Sequence, residues 1–357
     1  MTAAAPDALP GPVLVIGCGL IGTSVGLALR THDVDVLLLD RRPANVEVAV
    51  SRGAGRAHDG TEPFLVLVAV PPAAAAGVVA DSLGRWPTAV VTDVTSVKSS
   101  LQRGVAAVEG ADRYVGGHPM AGSERSGPLA ASAQLFEGRP WAVTPSAETS
   151  PEALDAVVDL AQHVGAVPII MDAAAHDRAV ALVSHVPQVM STLTAARLND
   201  AEGNHLSLAG PGLRDTTRIA ASDSALWIDI LGSNADDVRA VLELVRGDLD
   251  RVISALGTDD GVLGDVLESG RRGTALIPGK HGSQPDRLDI VHVQVADRPG
   301  ELSRLMADTG RSGANIEDLR LDHDLGRPVG LAEIAVALGV GDDLVAALTA
   351  RGWTAYR

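Results

Sequence analysis

Pro12-Val-Leu-Val-Ile-Gly-Cys-Gly-Leu-Ile-Gly22 is the stretch that decides how this chain folds. A β-branched apolar run ends in a glycine-rich loop, and residues 23–30 then read as a helix. Residues 33–39 read as a second buried strand, closed by Asp40. In that setting the three glycines have separate uses. Gly17 makes the tight turn, Gly19 lets a pyrophosphate approach the backbone, and Gly22 lets helix and strand pack closely, with the helix N-terminus facing the phosphates. Strand, loop, helix, strand and acid together predict a dinucleotide-binding unit, with Gly17, Gly19, Leu20, Ile21 and Gly22 as its contacts. Asp40 falls 18 residues after Gly22, where a carboxylate accepts from both adenosine ribose hydroxyls and repels a 2′-phosphate, favouring NAD over NADP. Arg41 and Arg42 follow at once, and either could swing onto a 2′-phosphate, so Arg41 joins Asp40 as a candidate cofactor contact.

Outward from this unit, buried strands are expected at 64–70, 89–94, 114–117, 141–144 and 167–171, with helices between most of them. A helix from 151 is punctuated by Ser150 as N-cap, Pro151 at its first position and Gly165 as its stop. Such alternation predicts an α/β fold with a mostly parallel sheet covered on both faces. Ligands of these sheets bind beyond the carboxyl ends of the strands. Four segments lie there: the glycine loop, Val70-Pro-Pro72, Asp93-Val-Thr-Ser-Val-Lys98 and Gly116-Gly-His-Pro-Met-Ala-Gly-Ser-Glu-Arg-Ser-Gly-Pro128. Val70 and Pro71 are thus candidate cofactor contacts. In the last segment glycines permit close approach and Pro119 stiffens the chain, so His118 is held in place as a candidate general base. The same histidine could simply cap a turn and bond a carbonyl. Ser96 is a candidate substrate or nicotinamide contact, and Thr95 or Ser96 could equally serve as N-cap of the next helix.

Near Asp172 the composition shifts to long Ala/Leu stretches, so a boundary is expected there. The helix over 173–199 should kink or break at Pro187. On a straight helix Asp177, Ser184 and Gln188 share one face while Arg178 and His185 share another. His185 could line a cleft or pack as a core histidine. Ala209-Gly-Pro-Gly-Leu-Arg-Asp-Thr-Thr-Arg-Ile-Ala220 gives a turn and a helix with Arg214 and Arg218 on one side. The pair forms a local anion site, or else ion-pairs with Asp215 or Asp223. Trp227 offers a wall in the next helix. Such an apolar helical half is expected to pair with a twin as a homodimer. After the linker Ile277-Pro-Gly-Lys-His-Gly-Ser-Gln-Pro285 a strand, helix, two strands and a helix suit a small split β-α-β module. The expected divisions are a Rossmann-type domain at 12–172, an all-helical substrate and dimerisation domain at 173–281, and an α+β module at 286–357. Asp322-His-Asp324 could attract a metal, but reads as a solvated turn, so no metal site is expected.

Bulk properties narrow the function. A net charge of -16 excludes a general nucleic-acid binder and attraction to anionic membranes. It also means that an anionic substrate needs locally placed arginines. Aromatic residues are 2% of the chain, so its cores must be Val, Leu, Ile and Ala. Cys18, the one cysteine, allows no internal disulfide and reads as a small buried side chain rather than a redox sensor. With no signal-peptide pattern and no apolar run near the roughly 20 residues of a spanning helix, a cytoplasmic protein is expected.

Taken together these motifs resemble the prephenate/arogenate dehydrogenase (TyrA) family of tyrosine biosynthesis. The resemblance rests on residues 17–22, 93–98 and 117–122, on Ser184-His-Val-Pro187, and on 213–220. The tail, with Asp297-Arg-Pro-Gly-Glu-Leu302 and Gly313-Ala-Asn-Ile316, looks like an ACT domain, a module that commonly binds amino acids. The resemblance implies NAD-dependent oxidative decarboxylation, with His118 taking the proton of the ring hydroxyl as hydride leaves. It places Ser96 beside that histidine and Arg218 on a substrate carboxylate, with Arg214 as helper. Glu124 and Trp227 would line the pocket. Many relatives carry a second histidine where Gln188 stands, at a position linked to tyrosine recognition, which points to the ACT-like tail as the site of any inhibition by tyrosine. The substrate could be prephenate or arogenate. A 3-hydroxyacid or imine reductase of the same plan usually relies on a lysine in the helical half. A dinucleotide- and amino-acid-sensing regulator without catalysis would lack His118 or Arg218.

Overall fold

The computed structural model describes residues 9–122, 126–277, 288–323 and 329–357, with the backbone alone at 322 and 323. Two compact units emerge, Met1–Val245 and Arg246–Arg357.

In the first, β1 (Val13–Ile16), α1 (Leu20–Arg30), β2 (Val36–Leu39), α2 (Pro43–Ser51), β3 (Arg56–Ala57), β4 (Leu65–Val68), α3 (Pro72–Arg85), β5 (Val90–Asp93), α4 (Ser99–Val105), β6 (Tyr114–Pro119), β7 (Pro140–Thr144), α5 (Pro151–His163) and β8 (Val167–Ile170) follow one another. The strands form one sheet in the order β3-β2-β1-β4-β5-β6-β7-β8. All neighbours are parallel except β6 and β7, whose register sets His118 opposite Ala142. Alternate residues point to opposite faces. Val13, Val15, Leu65 and Leu67 pack with Val25 and Leu29 of α1 and Val157 and Leu160 of α5. Leu14, Val66 and Val68 pack on the other side with Val79 and Leu83 of α3 and Leu101 of α4. Strands buried on both faces explain the unbroken apolar runs in the sequence. The sheet reverses its winding between β1 and β4, where a ligand crevice forms in such folds.

A long helical path follows: α6 (Ala173–Val180), a π-helical turn (Ala181–His185) and α7 (Val186–Arg197). Pro187 does not break it. Proline has no N–H to donate and its ring crowds the preceding turn, and the π turn just before it widens the helix to accommodate both defects. The extra residue also shifts the helical phase. His185 therefore lies buried with Asp177 and Gln188 rather than on the exposed face of Arg178, correcting the straight-helix expectation. By length and composition alone, Ala173–Asp200 could cross a membrane, with a mean hydropathy of 1.2. One face of it buries His176, Asp177, His185 and Gln188, polar groups that a lipid-spanning helix would not carry together, and a third of its apolar window is covered by the fold. Then come α8 (Pro211–Thr217), a 3-10 turn (Arg218–Ala221), α9 (Ser224–Ser233) and α10 (Ala235–Ala255), which runs past the division between the units.

The second unit continues with α11 (Asp260–Thr274), β9 (Leu288–Ala296), α12 (Glu301–Arg311), β10 (Asp318–His323), β11 (Val329–Ala337), α13 (Gly341–Thr349) and β12 (Ala355–Tyr356). Its sheet runs β10-β11-β9-β12, antiparallel throughout. One sheet face carries Val291, Val293, Ile334 and Val336 onto Leu305 of α12 and Leu344 and Leu348 of α13. That is the split β-α-β arrangement with a short closing strand the sequence did not announce.

Candidate active site

The glycine loop has the shape of a cradle. Gly17 sits at φ +105°, and a Cβ there would meet the Ala69 carbonyl oxygen at 2.3 Å, so the loops after β1 and β4 touch. A Cβ on Gly22 would meet the Gly17 carbonyl oxygen at 2.0 Å, whereas one on Gly19 would meet nothing within 4 Å. Two glycines are thus required by the protein's own backbone, and the third opens onto free space at the N-terminus of α1. This fits a pyrophosphate, for which free amides and a helix dipole are the natural partners. The half-buried Asp40 accepts from the amides of Cys18 (2.7 Å) and Arg42 (2.7 Å), tying the end of β2 to the loop. Arg41 is exposed beside it, and Val70 and Pro71 form the turn into α3. Cys18 is fully buried, and burial, then Asp40, pushes its thiol up to about 12, so it is inert packing.

At the end of β6 the His118 side chain meets the helical segment that follows the sheet. Its Nδ1 lies 2.9 Å from Nε2 of His176 on α6. His176 Nδ1 lies 2.9 Å from the carboxylate of Asp177. Asp177 in turn accepts from the backbone amides of Lys98 and Ser99, each at 2.8 Å. These are free donors at the start of α4, so a distant carboxylate caps that helix. Thr95 and Ser96 do not; the N-cap position is Lys98, which supplies no side-chain cap. Lys98 is itself fully buried, its ammonium on Asp93, Thr95 and the Gly117 carbonyl oxygen. Tyr114 donates to the other oxygen of Asp93 at 2.7 Å. Ser96 is half-buried in the same loop.

The electrostatics follow from this packing. Burial, with Lys98, His176 and His185 adding to it and Asp177 opposing, pushes His118 well below the usual imidazole range. It is therefore an unprotonated base at neutral pH. Burial raises Asp177, but hydrogen bonds from His176, Lys98 and Ser99 outweigh it and bring the carboxyl down to about 2. Burial holds His185 near 4.

A second group adjoins the first. Asn234, at the end of α9, donates to the Asp177 carbonyl oxygen at 2.8 Å and lies 3.1 Å from His185 Nδ1. The half-buried Trp227 stands edge-on to His185 with ring centroids 6.1 Å apart. Gln188 donates to the Ile219 carbonyl oxygen at 3.0 Å, pinning the 3-10 turn that Arg218 opens. Arg214 and Arg218 are exposed. Because the helix tightens after Thr217, they lie on two elements rather than one. Among the described residues neither pairs with Asp215 or Asp223, whose neighbourhood on α8 and α9 is exposed. Glu124 lies outside the described residues, as does Asp324 of the Asp322-His-Asp324 run. Among the described residues no cluster suits a metal ion.

Sequence reasoning brought out His118 and the strand-end loops but missed His176, Lys98 and Asn234, and used Asp177 only as a face marker. One signal was present: adjacent histidine and aspartate at the start of an otherwise apolar helix carry charge where burial needs a partner.

Comparison with known proteins identifies the family. The family model for the prephenate dehydrogenase nucleotide-binding domain matches residues 25–170, and that for the prephenate dehydrogenase dimerization domain matches residues 172–262. The chain is 37% identical to probable prephenate dehydrogenase NovF of Streptomyces niveus, over 96% of its own length and 98% of that protein's. It also resembles the crystal structure of prephenate dehydrogenase from A. aeolicus in complex with hydroxyphenyl propionate and NAD+, at TM-score 0.68 and 26% identity, covering 74% of this chain and 97% of that one. Synechocystis arogenate dehydrogenase is similar at TM-score 0.61 and 28% identity, covering 74% and 98%. With both family models matched in order and a relative aligned along nearly its whole length, the chain belongs to the prephenate dehydrogenase family.

Proposed function

We propose that this chain is an NAD-dependent prephenate dehydrogenase, converting prephenate to 4-hydroxyphenylpyruvate by oxidative decarboxylation. The observation that carries the reading is His118, a half-buried neutral imidazole fixed at a strand end in a chain of this family. NAD, when bound, supplies the acceptor for the hydride that leaves the hydroxyl-bearing ring carbon. Gly17, Gly19, Leu20, Ile21 and Gly22 hold its pyrophosphate, Asp40 and Arg41 its adenosine end, and Val70 and Pro71 the wall between. His118 takes the proton of the ring hydroxyl, and Ser96 orients substrate and imidazole. As the ring carboxylate departs as carbon dioxide its electron pair enters the ring, which becomes aromatic. The phenol oxygen then needs the proton His118 holds, so the imidazole returns to neutral without net release. Arg218, helped by Arg214, holds a substrate carboxylate, and Glu124, Trp227 and His185 line the pocket.

At the level of the whole chain, residues 12–172 bind the cofactor and 173–281 complete the substrate site and pair two copies into a homodimer. Residues 286–357 act as an ACT-like module for an amino-acid effector, tyrosine. The protein works in the cytoplasm. Arogenate is the second substrate considered, because the likeness extends to an arogenate dehydrogenase. It differs from prephenate only in an amino for a keto group on the side chain, remote from His118.

The test is NADH formation by the purified protein with prephenate, then arogenate, each with NAD and NADP. Turnover of prephenate with NAD is expected. Turnover of arogenate alone moves the substrate but keeps the chemistry, and silence in all four combinations overturns the reading. His118→Asn should lose roughly 10²- to 10⁴-fold in turnover while binding NAD normally.

A further inference from the structure

The contacts of His118 constrain where its proton sits. Asp177 is ionised, with its pKa brought down to about 2, and it accepts hydrogen bonds from Lys98, Ser99 and His176. A carboxylate can only accept, so His176 must carry its hydrogen on Nδ1, facing Asp177. In neutral His176 the other nitrogen, Nε2, is then a bare lone pair. That lone pair lies 2.9 Å from His118 Nδ1. Two lone pairs do not attract, so His118 must donate from Nδ1, which leaves its own Nε2 bare.

From this chain of contacts we propose that His176 and Asp177 are positioning residues that hold His118 in the tautomer with a free Nε2, making Nε2 the base. The inference rests on the dehydrogenase reading for its catalytic consequence, though not for the tautomer itself. When Nε2 takes the proton of the substrate hydroxyl, the O–H bond breaks and an N–H bond forms on His118. The resulting imidazolium keeps its Nδ1–H bond to His176, whose opposite side faces the Asp177 carboxylate. The half-buried cation thus acquires a counter-charge through one intervening ring, without Asp177 itself becoming protonated. Proton return to the phenol oxygen restores the starting tautomer.

Other charged groups around His118 do not substitute for this arrangement. Lys98, reaching in from the loop after β5, is a cation already neutralised by Asp93. His185, from the π turn, has its Nδ1 engaged with Asn234. Asp177 is the carboxylate whose charge acts on His118 and favours its protonated form. Both relay residues are nearly inaccessible, at 1% for His176 and 2% for Asp177, so bulk water cannot replace them. Asp177 is additionally committed to the start of α4, which fixes its position before any substrate arrives.

The test uses the intact protein labelled with 15N in its imidazole rings. Nitrogen shifts of His118 are read at neutral pH without substrate, using His118→Asn to assign its signals. The expected result is a protonated Nδ1 and a bare Nε2. In His176→Leu this preference should disappear, kcat should fall on the order of 10²-fold, and KM and NAD affinity should stay within about twofold. The acid limb of kcat/KM should also move to lower pH, because the imidazolium loses the acceptor of its Nδ1–H bond. His176→Gln offers an acceptor oxygen at the same reach and should restore the tautomer and part of kcat, which a merely structural role for His176 would not predict. A bare Nδ1 in the wild type overturns the proposal. So does a His176→Leu protein that keeps both the protonated Nδ1 and the wild-type pH profile. Failure of the substrate reading would appear separately, as lack of turnover in a protein whose His118 still shows the expected tautomer.

Discussion

At the scale of single residues, Asp177 links stability to the active site. It receives two backbone amides and one imidazole, and its carboxyl falls from the ordinary 3.8 to about 2. A lowered carboxyl favours the fold above its unfolded pKa and loses that contribution as pH falls through its folded value. The shift corresponds to about 2 kcal/mol, present above pH 4 and lost toward pH 2. Asp177→Asn should therefore cost about 2 kcal/mol in urea unfolding at pH 7 and flatten the pH dependence between 4 and 2. An unchanged slope of stability against pH in that window would remove Asp177 from this role. His118 could be read in the sequence because glycine, histidine and proline at a strand end have a local meaning. Its partner could not: His176 is 58 positions away, and nothing local links them.

Among the elements, the loop between β1 and α1 separates two uses of glycine. Gly22→Ala would drive a methyl into the Gly17 carbonyl, so the loop must shift, and both thermal stability and NAD binding should fall. Gly19 has φ -83°, which any residue adopts, and its Cβ direction is open. Gly19→Ala should leave the melting temperature unchanged while weakening NAD in a direct titration. Equal NAD affinity in wild type and Gly19→Ala would mean that the open space is not the pyrophosphate site. The π turn before Pro187 belongs to this scale too. Proline announces trouble in a helix, but whether the helix breaks, kinks or widens depends on what its neighbours can satisfy. Here a widened turn lets His185 meet Asn234.

For the molecule as a whole, the helical segments of the first unit leave large apolar side chains uncovered: Leu182, Val183, Leu193, Leu208 and Ile228 are 56–88% exposed. So many exposed large apolar side chains are unusual for a lone chain, and all five lie within the stretch similar to the prephenate dehydrogenase dimerization domain. Ile228→Asp and Leu193→Glu together should shift sedimentation from dimer to monomer at micromolar concentration. A persistent dimer would place the interface elsewhere. In the second unit, Trp353 donates to Asp308 at 2.9 Å under the Arg304 guanidinium, and Asp289 gathers the amides of Gly339 and Gly341 with Arg357. These contacts close the small sheet and its helices on themselves. On the effector role proposed for the tail, removing residues 286–357 should abolish any inhibition that tyrosine exerts on the full chain while turnover persists, and inhibition equal to that of the full chain would exclude the tail as effector site.

What the sequence determined by itself was whatever repeats or punctuates locally. Unbroken apolar strands such as residues 13–16, the glycine loop, the Ser150-Pro151 helix start and the alternating strands of the tail carry their meaning within a few residues, because backbone sterics and burial act over that range. Short edge pieces such as β3 and β12 escaped, since two residues hold no period. Tertiary structure alone decided the antiparallel entry of β7, the capping of α4 by a carboxylate from α6, and the line from His118 through His176 to Asp177. Each depends on polar groups distant in sequence finding one another in a place too dry for water to serve instead. Such pairings are set by the packing of whole elements, and no local pattern encodes them.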